Sequence, residues 1–139
     1  MNDPNDLRRF VDAQKHVYED ARAELDRGRK TSHWMWFIFP QIQGLGSSEM
    51  AERYAISSIE ETRAYMEHPV LGPRLRECTR LVNRVEGKPI DQIFGNPDDL
   101  KFHSSMTLFA QAAAENKIFR EALDKYFAGE FDRHTLERL

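Results

Sequence analysis

Apolar residues recur at three- and four-residue steps along most of the chain, which is the spacing of helices that bury one face. The first run follows Asp3-Pro4, a capping acceptor and a first-turn proline, and extends to Gly28. It predicts one amphipathic helix. Its buried face would consist of Leu7, Phe10, Val11, Gln14, Tyr18, Ala21 and Leu25.

Polar capping residues divide the middle of the chain into further helices. Ser48 precedes a short pattern at residues 49–56, and Ser58 stands three residues before Glu61, as in a capping box. Residues 70–85 carry another apolar stripe that predicts a longer helix.

The last third of the chain repeats this organisation. Asn96 as the cap and Pro97 in the first turn predict the start of a helix that reaches the alanine cluster at 112–114. Another helix is predicted over residues 118–128, and Asp132 can cap a last turn. Residues 88–95 allow at most two helical turns.

These patterns predict an all-α fold, a compact bundle of five to seven helices without a convincing strand. A chain of 139 residues, 40% of them hydrophobic, fits one domain that buries roughly two-thirds of its unfolded surface. We therefore predict a single helical domain over residues 1–139.

Charge and composition narrow the function classes. The net charge is −3 and basic residues alternate with acidic ones, which disfavours nucleic acid as a partner. A single cysteine, Cys78, excludes an internal disulfide, and five scattered histidines predict no metal site and no cofactor. The polar, acidic N-terminus and the lack of a run of roughly 18 apolar residues predict a cytoplasmic protein with no membrane partner.

Residues 32–46 combine aromatic side chains with a polar frame and contain both tryptophans of the chain. Aromatic walls with a few aimed polar groups are typical of a small-ligand pocket, although dense core packing would use the same residues. The candidates for that pocket are His33, Trp34, Trp36, Phe39 and Gln41.

The turn that follows could hold an anion. Gly44 and Gly46, then Ser47 and Ser48, precede a predicted helix start, where N–H groups, hydroxyls and the positive end of the helix dipole meet. The turn lacks the spacing and the lysine of a Walker loop, and an ordinary capped turn is the alternative.

A second cluster carries candidate catalytic groups. Asp99 and His103 are four residues apart, so they share a helix face on which a carboxylate can orient an imidazole as a general base. A surface pair is the alternative. Ser104 and Ser105 follow as candidate ligand-binding residues, outside any Gly-x-Ser-x-Gly elbow.

The order of the motifs resembles a bacterial family of unknown function whose members often carry the automatic label calpastatin. The motifs are His-Trp-Met-Trp-Phe-Ile-Phe-Pro-Gln at residues 33–41 and Ser-Ser-Met-Thr-Leu-Phe at 104–109. The resemblance implies a compact multihelical fold and no particular reaction. Calpain inhibitors of that name are long and disordered, whereas this chain is patterned for a core. A fainter similarity, through residues 13–15 on the first helix and a later helix that bears Met and Phe, is to the helical superfamily associated with NAD and ADP-ribose processing.

We therefore expect a protein that binds, and could hydrolyse, a phosphorylated small molecule of nucleotide or ADP-ribose type. In hydrolysis, His103 or His33 would act as the base and Asp99 would orient it. The alternative is a non-enzymatic interaction module whose aromatic groove takes a peptide or helix of a protein partner that the sequence does not identify. A structural protein without a pocket is a third possibility.

Overall fold

Helices provide the regular structure of the computed structural model, which describes residues 3–139. In chain order they are α1 (Arg8–Gln14), α2 (Tyr18–Asp26), α3 (Met35–Ile38), α4 (Glu49–Arg53), α5 (Ile59–Glu67), α6 (Leu71–Arg84), α7 (Ile90–Phe94), α8 (Asp98–Ala112), α9 (Lys117–Phe127) and α10 (Arg133–Glu137). The all-α prediction is confirmed, but the predicted count of five to seven helices is wrong, since the described residues form ten. None of these ten helices has the length and apolarity needed to cross a bilayer.

The first predicted helix is two helices in the structure. α1 ends at Gln14 and α2 begins at Tyr18, and the backbone N–H of Val17 donates to the Gln14 carbonyl between them, at 3.2 Å. The apolar spacing continues through this break, so the pattern could not reveal it. Gln14 is buried at the break, and its Nε2 donates to the Phe37 carbonyl at 2.7 Å.

Side-chain caps fix the starts of three short helices, as the sequence predicts. The hydroxyls of Ser48 and Ser58 and the carboxylate of Asp132 each accept a hydrogen bond from the backbone N–H three residues ahead. The cap predicted at residue 96 is wrong. Pro97 occupies the cap position of α8 after a cis peptide bond, and the Asn96 amide donates to a side chain within the helix instead.

α8 is buried over most of its length because α5, α7, α9 and α10 pack around it. Its Phe102 belongs to a hydrophobic cluster that also contains Trp34 and Phe39. The rings of Phe39 and Phe102 meet edge to face, with their centroids 5.1 Å apart. This packing places the aromatic segment against the start of α8. A single hydrophobic core is what one domain would contain. That residues 1–139 form one domain stays a prediction.

Candidate functional site: a cleft between the glycine turn, α8 and α10

A cleft of about 710 Å³ opens where the turn after the aromatic segment meets the start of α8 and the C-terminal helix α10. It brings together side chains from the two clusters that the sequence singles out, and adds α10. The lining residues are Trp36, Gln41, Gly44, Leu45, Gly46, Ser47, Ser48, Ala51, Pro97, Leu100, Lys101, His103, Ser104, Asp132, His134 and Arg138.

Some of the predicted pocket residues lie in the core instead. Trp34 is fully buried, and its Nε1 donates to Glu24 Oε1 at 2.9 Å. Phe39 is buried against α8, and Ser105 is fully buried with no hydrogen-bond partner for its Oγ among the described residues. His33 is exposed but does not line the cleft.

Asp99 also lies outside the cleft lining, and its partners are local. Its Oδ1 accepts hydrogen bonds from the Asn96 side-chain amide at 3.0 Å and from the backbone N–H of Leu100 at 2.9 Å. The hydrogen bonds found within residues 3–139 do not join Asp99 to His103. The structure therefore shows neither the orienting pair nor the surface pair that their spacing suggests.

His103 is held by other groups. Its ring stacks on Phe127, with centroids 4.0 Å apart and the planes within 6°, and its Nε2 lies 2.8 Å from the Glu130 carbonyl. A carbonyl only accepts, so Nε2 carries a proton in this contact. In the neutral imidazole, Nδ1 is then the nitrogen with a free lone pair.

Asp132 is the carboxylate of the cleft, although the sequence indicates only its capping role. Its Oδ2 accepts from the Ser104 hydroxyl at 2.9 Å and from the backbone N–H and hydroxyl of Thr135 at 3.2 and 2.6 Å. Burial acts to raise the pKa of this carboxyl, but the hydrogen bonds from Thr135 and Ser104 outweigh burial and lower it. Asp132 is therefore ionised at neutral pH. The helix-capping pattern gives no signal of its contact with α8.

Two long cationic side chains reach the cleft, Lys101 from α8 and Arg138 from the end of α10. Lys101 pairs with Asp98 at 3.3 Å, and its Nζ lies 4.6 Å from the centroid of the Trp36 ring. Arg138 lies across the turn at Gly44, where φ is +92° and an added Cβ would come within 2.5 Å of Nη1. Within residues 3–139, Arg138 enters no ion pair.

The turn itself is shaped by close packing. A Cβ at Gly46 would approach the Cβ of Ala51 to 2.7 Å, so a larger residue would push the turn away from α4. The Ser48 hydroxyl already accepts from the backbone N–H of Ala51 at 3.1 Å. Ser47 and Ser48 are both exposed on this wall of the cleft.

Thiol and metal chemistry are not arranged around the cleft. Cys78 is buried on α6, and burial raises the pKa of its thiol to about 12. It is therefore protonated and unreactive at neutral pH. Across the residues that the structure describes, no three His, Cys, Asp or Glu side chains group together to hold a metal ion.

The whole chain resembles proteins whose function is not established. One similar protein is the conserved hypothetical protein Rv1873 from Mycobacterium tuberculosis, which is 58% identical to this chain in sequence. Its crystal structure superposes on this one with a TM-score of 0.97. The similarity covers 99% of this chain and 98% of that one. No curated protein matches the chain. A family model described as protein of unknown function (DUF1810) matches residues 4–139, and the chain belongs to that family.

Proposed function

We propose that the cleft binds a phosphorylated small molecule of nucleotide or ADP-ribose type, with its anionic group at Arg138. The observation that carries this proposal is the position of the Arg138 guanidinium, which lies against the Gly44 turn at the cleft and enters no ion pair within the described residues. A guanidinium offers paired N–H donors that match two phosphate oxygens.

Local charge supports an anionic ligand in a chain whose net charge is −3. Lys101 lines the same cleft as Arg138, and Asp132 is the carboxylate among the lining residues. Lys101 is paired with Asp98, so Arg138 is the stronger attractor for a phosphate. The positive charge of Lys101 still adds to the potential at Arg138.

The size and the apolar walls suit an organic phosphate more than the inorganic ion. A volume of about 710 Å³ lies within the range of roughly 300–1,000 Å³ that is usual for small-molecule sites. Trp36, Leu45 and Leu100 provide apolar surface on which a flat ring can rest. Lys101 covers the Trp36 ring, so Leu45 and Leu100 provide the more open part of that surface.

Hydrolysis of the bound molecule is the second part of the proposal, with His103 as the base. The Glu130 carbonyl and the Phe127 ring fix the imidazole, which leaves Nδ1 to accept a proton from water. The water oxygen then bonds to phosphorus, the P–O bond to the organic group breaks, and the departing oxygen takes the proton from Nδ1. This assigns the orienting role to these two groups rather than to Asp99. His33 is not assigned a role, because it lies outside the cleft lining.

A non-enzymatic interaction module is the competing function. Leu100 lines the cleft and is 58% exposed, so it offers apolar surface that a partner could cover. Leu136 and Leu139 near the C-terminus are also exposed, at 40% and 47%. A peptide with apolar side chains would bury such residues, whereas a phosphate ester would leave most of them in water.

Calorimetric titration with AMP, ADP-ribose and adenosine tests the binding proposal. We expect the phosphorylated compounds to bind more tightly than adenosine. Arg138→Ala should weaken their binding at least tenfold, whereas Arg133→Ala should leave it unchanged. Arg133 is the matched control because it lies on α10 outside the cleft lining, 3.8 Å from Glu137. Binding that is indifferent to Arg138→Ala, or no binding of either phosphorylated compound, would contradict the proposal.

Turnover is measured separately with any compound that binds. We expect His103→Ala to abolish hydrolysis while the affinity changes little, since the imidazole acts on water rather than on the phosphate. Unchanged turnover in this variant would remove His103 from the mechanism and leave the binding proposal intact.

A further inference from the structure

Asp132 holds more hydrogen-bonding capacity than a helix cap needs. Ser48 and Ser58 cap α4 and α5 with one hydroxyl each, so a neutral side chain is sufficient for this task in the same protein. At α10 the cap is an ionised carboxylate whose Oδ2 accepts three hydrogen bonds by itself. Neither the cap nor Ser104 uses Oδ1.

The remaining oxygen is open to a ligand. Among the described residues no donor reaches Asp132 Oδ1, and this oxygen is not one of the enclosed side-chain atoms that lack a partner. Asp132 also enters no ion pair within residues 3–139, although it is only partly exposed. Solvent reaches Oδ1, so a ligand that enters the cleft must replace the water there with a hydrogen-bond donor of its own.

Two groups keep this carboxylate rigid at the wall of the cleft. Ser104 on α8 and Thr135 on α10 bind its Oδ2 from two different helices. The backbone N–H of Asp132 donates to Thr107 Oγ1 at 2.8 Å, which anchors the residue itself to α8. The position of Oδ1 is therefore set before any ligand enters, as recognition of a specific donor requires.

The charges divide the cleft into two unlike parts. A phosphate beside Asp132 would place two anions in contact, so this part disfavours the phosphate and favours hydrogen-bond donors. Arg138 stands where an anion is attracted. Hydroxyl groups are the donors that a small phosphorylated molecule carries most often, and a carboxylate oxygen accepts from them without a change in charge.

We infer that Asp132 Oδ1 accepts hydrogen bonds from ligand hydroxyls, so that the cleft selects the phosphate ester of a sugar or other polyol over a phosphate ester that lacks hydroxyls. This inference rests on the proposed function, because it assumes that Arg138 binds the phosphate. It narrows the ligand to molecules with a phosphate at one end and free hydroxyls at the other, such as a ribose phosphate.

Glycerol 3-phosphate and n-propyl phosphate form the decisive pair, because they share the phosphate and three carbons and differ by two hydroxyls. Calorimetric titration of the full chain should show at least tenfold tighter binding of glycerol 3-phosphate. In Asp132→Asn this preference should fall below threefold, because the amide oxygen must replace the capping Oδ2 and the N–H₂ group that then replaces Oδ1 cannot accept a hydrogen bond from a hydroxyl. Affinity for n-propyl phosphate should be unchanged or higher, since a negative charge has been removed.

Two further variants separate recognition from folding. Asp132→Ser keeps a hydroxyl cap of the kind found at Ser48 and should also lose the preference. Asp3→Asn is the matched control, since the Asp3 carboxylate holds the backbone N–H of Leu7 and Arg8 at 2.9 and 3.1 Å and does not line the cleft. It should keep the wild-type preference for glycerol 3-phosphate.

The outcomes distinguish this inference from the proposed function. Equal affinity of the wild type for the two esters, with both dependent on Arg138, overturns the hydroxyl selection and leaves phosphate binding intact. A preference that survives in both Asp132→Asn and Asp132→Ser also overturns it. If neither ester, inorganic phosphate nor AMP binds, the proposed function fails and this inference falls with it.

Discussion

Glu24 and Asp132 each gather hydrogen bonds from several donors, one in the core and the other at the cleft. Glu24 Oε1 accepts from the backbone N–H groups of Thr31 and Ser32 and from Trp34 Nε1, and Oε2 accepts from the Ser32 hydroxyl. Asp132 places all its donors on one oxygen. A carboxylate with both oxygens occupied ties loops together, whereas one with an oxygen to spare can also meet a ligand.

The two tryptophans repeat this contrast within one segment. Trp34 is fully buried and donates a hydrogen bond to Glu24, whereas Trp36 lines the cleft. Each ring has a lysine over it: Lys30 Nζ lies 5.2 Å from the Trp34 centroid, and Lys101 Nζ lies 4.6 Å from that of Trp36. Both lysines pair with Asp98, at 2.8 and 3.3 Å, so this residue joins the core region to the cleft.

Removing the two carboxylates should give the largest difference in stability. We expect Glu24→Ala to lower the free energy of unfolding by about 4 kcal/mol, because it leaves buried donors without acceptors. Asp132→Ala should cost about 1.5 kcal/mol, the size of a lost helix cap. Urea denaturation of both variants measures this difference. Equal costs would mean that Asp132 is as structural as Glu24.

Acid should destabilise the protein through Glu24 in the core. Burial acts to raise the pKa of Glu24, but hydrogen bonds from Ser32, Thr31 and Trp34 lower it from 4.5 to about 2. Because the folded pKa lies below the unfolded one, the stabilisation is complete above pH 4.5 and is lost as pH falls towards 2. The linked free energy is about 3 kcal/mol.

Denaturation of the wild type, Glu24→Gln and Asp132→Asn between pH 2 and 6 measures this dependence. Glu24→Gln should show a much flatter profile. Asp132→Asn should keep most of the slope. The lowered pKa of Asp132 contributes to stability with the same sign as that of Glu24, but water in the cleft reaches its carboxylate and makes the contribution smaller. A profile unaltered by Glu24→Gln would assign the acid sensitivity to other carboxylates.

The tryptophans offer a smaller, matched contrast. Trp34→Phe should cost about 2 kcal/mol, because it opens a cavity and removes the indole donor to Glu24. Trp36→Phe should cost less than about 1 kcal/mol, since the ring is only partly buried. Thermal unfolding of the two variants tests this order. The opposite order would show that Trp36 belongs to the core.

Two glycines with left-handed backbones give the smallest expected difference. Gly44→Ala and Gly28→Ala should each cost about 1 kcal/mol, because φ is +92° at Gly44 and +75° at Gly28. Only Gly44→Ala displaces Arg138, so only this variant should weaken AMP binding. In Gly28→Ala the added Cβ would contact Val85 rather than Arg138, so a loss of AMP affinity in this variant would indicate a global effect on the fold.

The regularity of each segment decides how much of the fold the sequence could predict. α6, α8 and α9 follow the predicted bounds closely, since each is long and has a proline or a glycine near at least one of its ends. The break between α1 and α2 interrupts no pattern. The one- and two-turn helices that raise the count to ten owe their form to packing rather than to their own periodicity.

The candidate site was only partly visible for a related reason. Residue type indicated the aromatic segment and the start of α8, and both contribute to the cleft. Burial of Trp34 and exposure of Trp36 could not be told apart, because the two rings are two positions apart in an apolar run. Asp132 and Arg138 reach the cleft only through the docking of α10 on α8, a long-range contact that no local pattern indicates.

The unlike surroundings of the two indoles also give the molecule two optical reporters. In Trp36→Phe, the remaining emission comes from Trp34 in the core, which acrylamide reaches only when the chain unfolds. In Trp34→Phe, it comes from Trp36 at the cleft wall, where a bound molecule shields the ring from the quencher. Fluorescence from one short segment therefore follows unfolding in one variant and occupancy of the cleft in the other, without an attached dye.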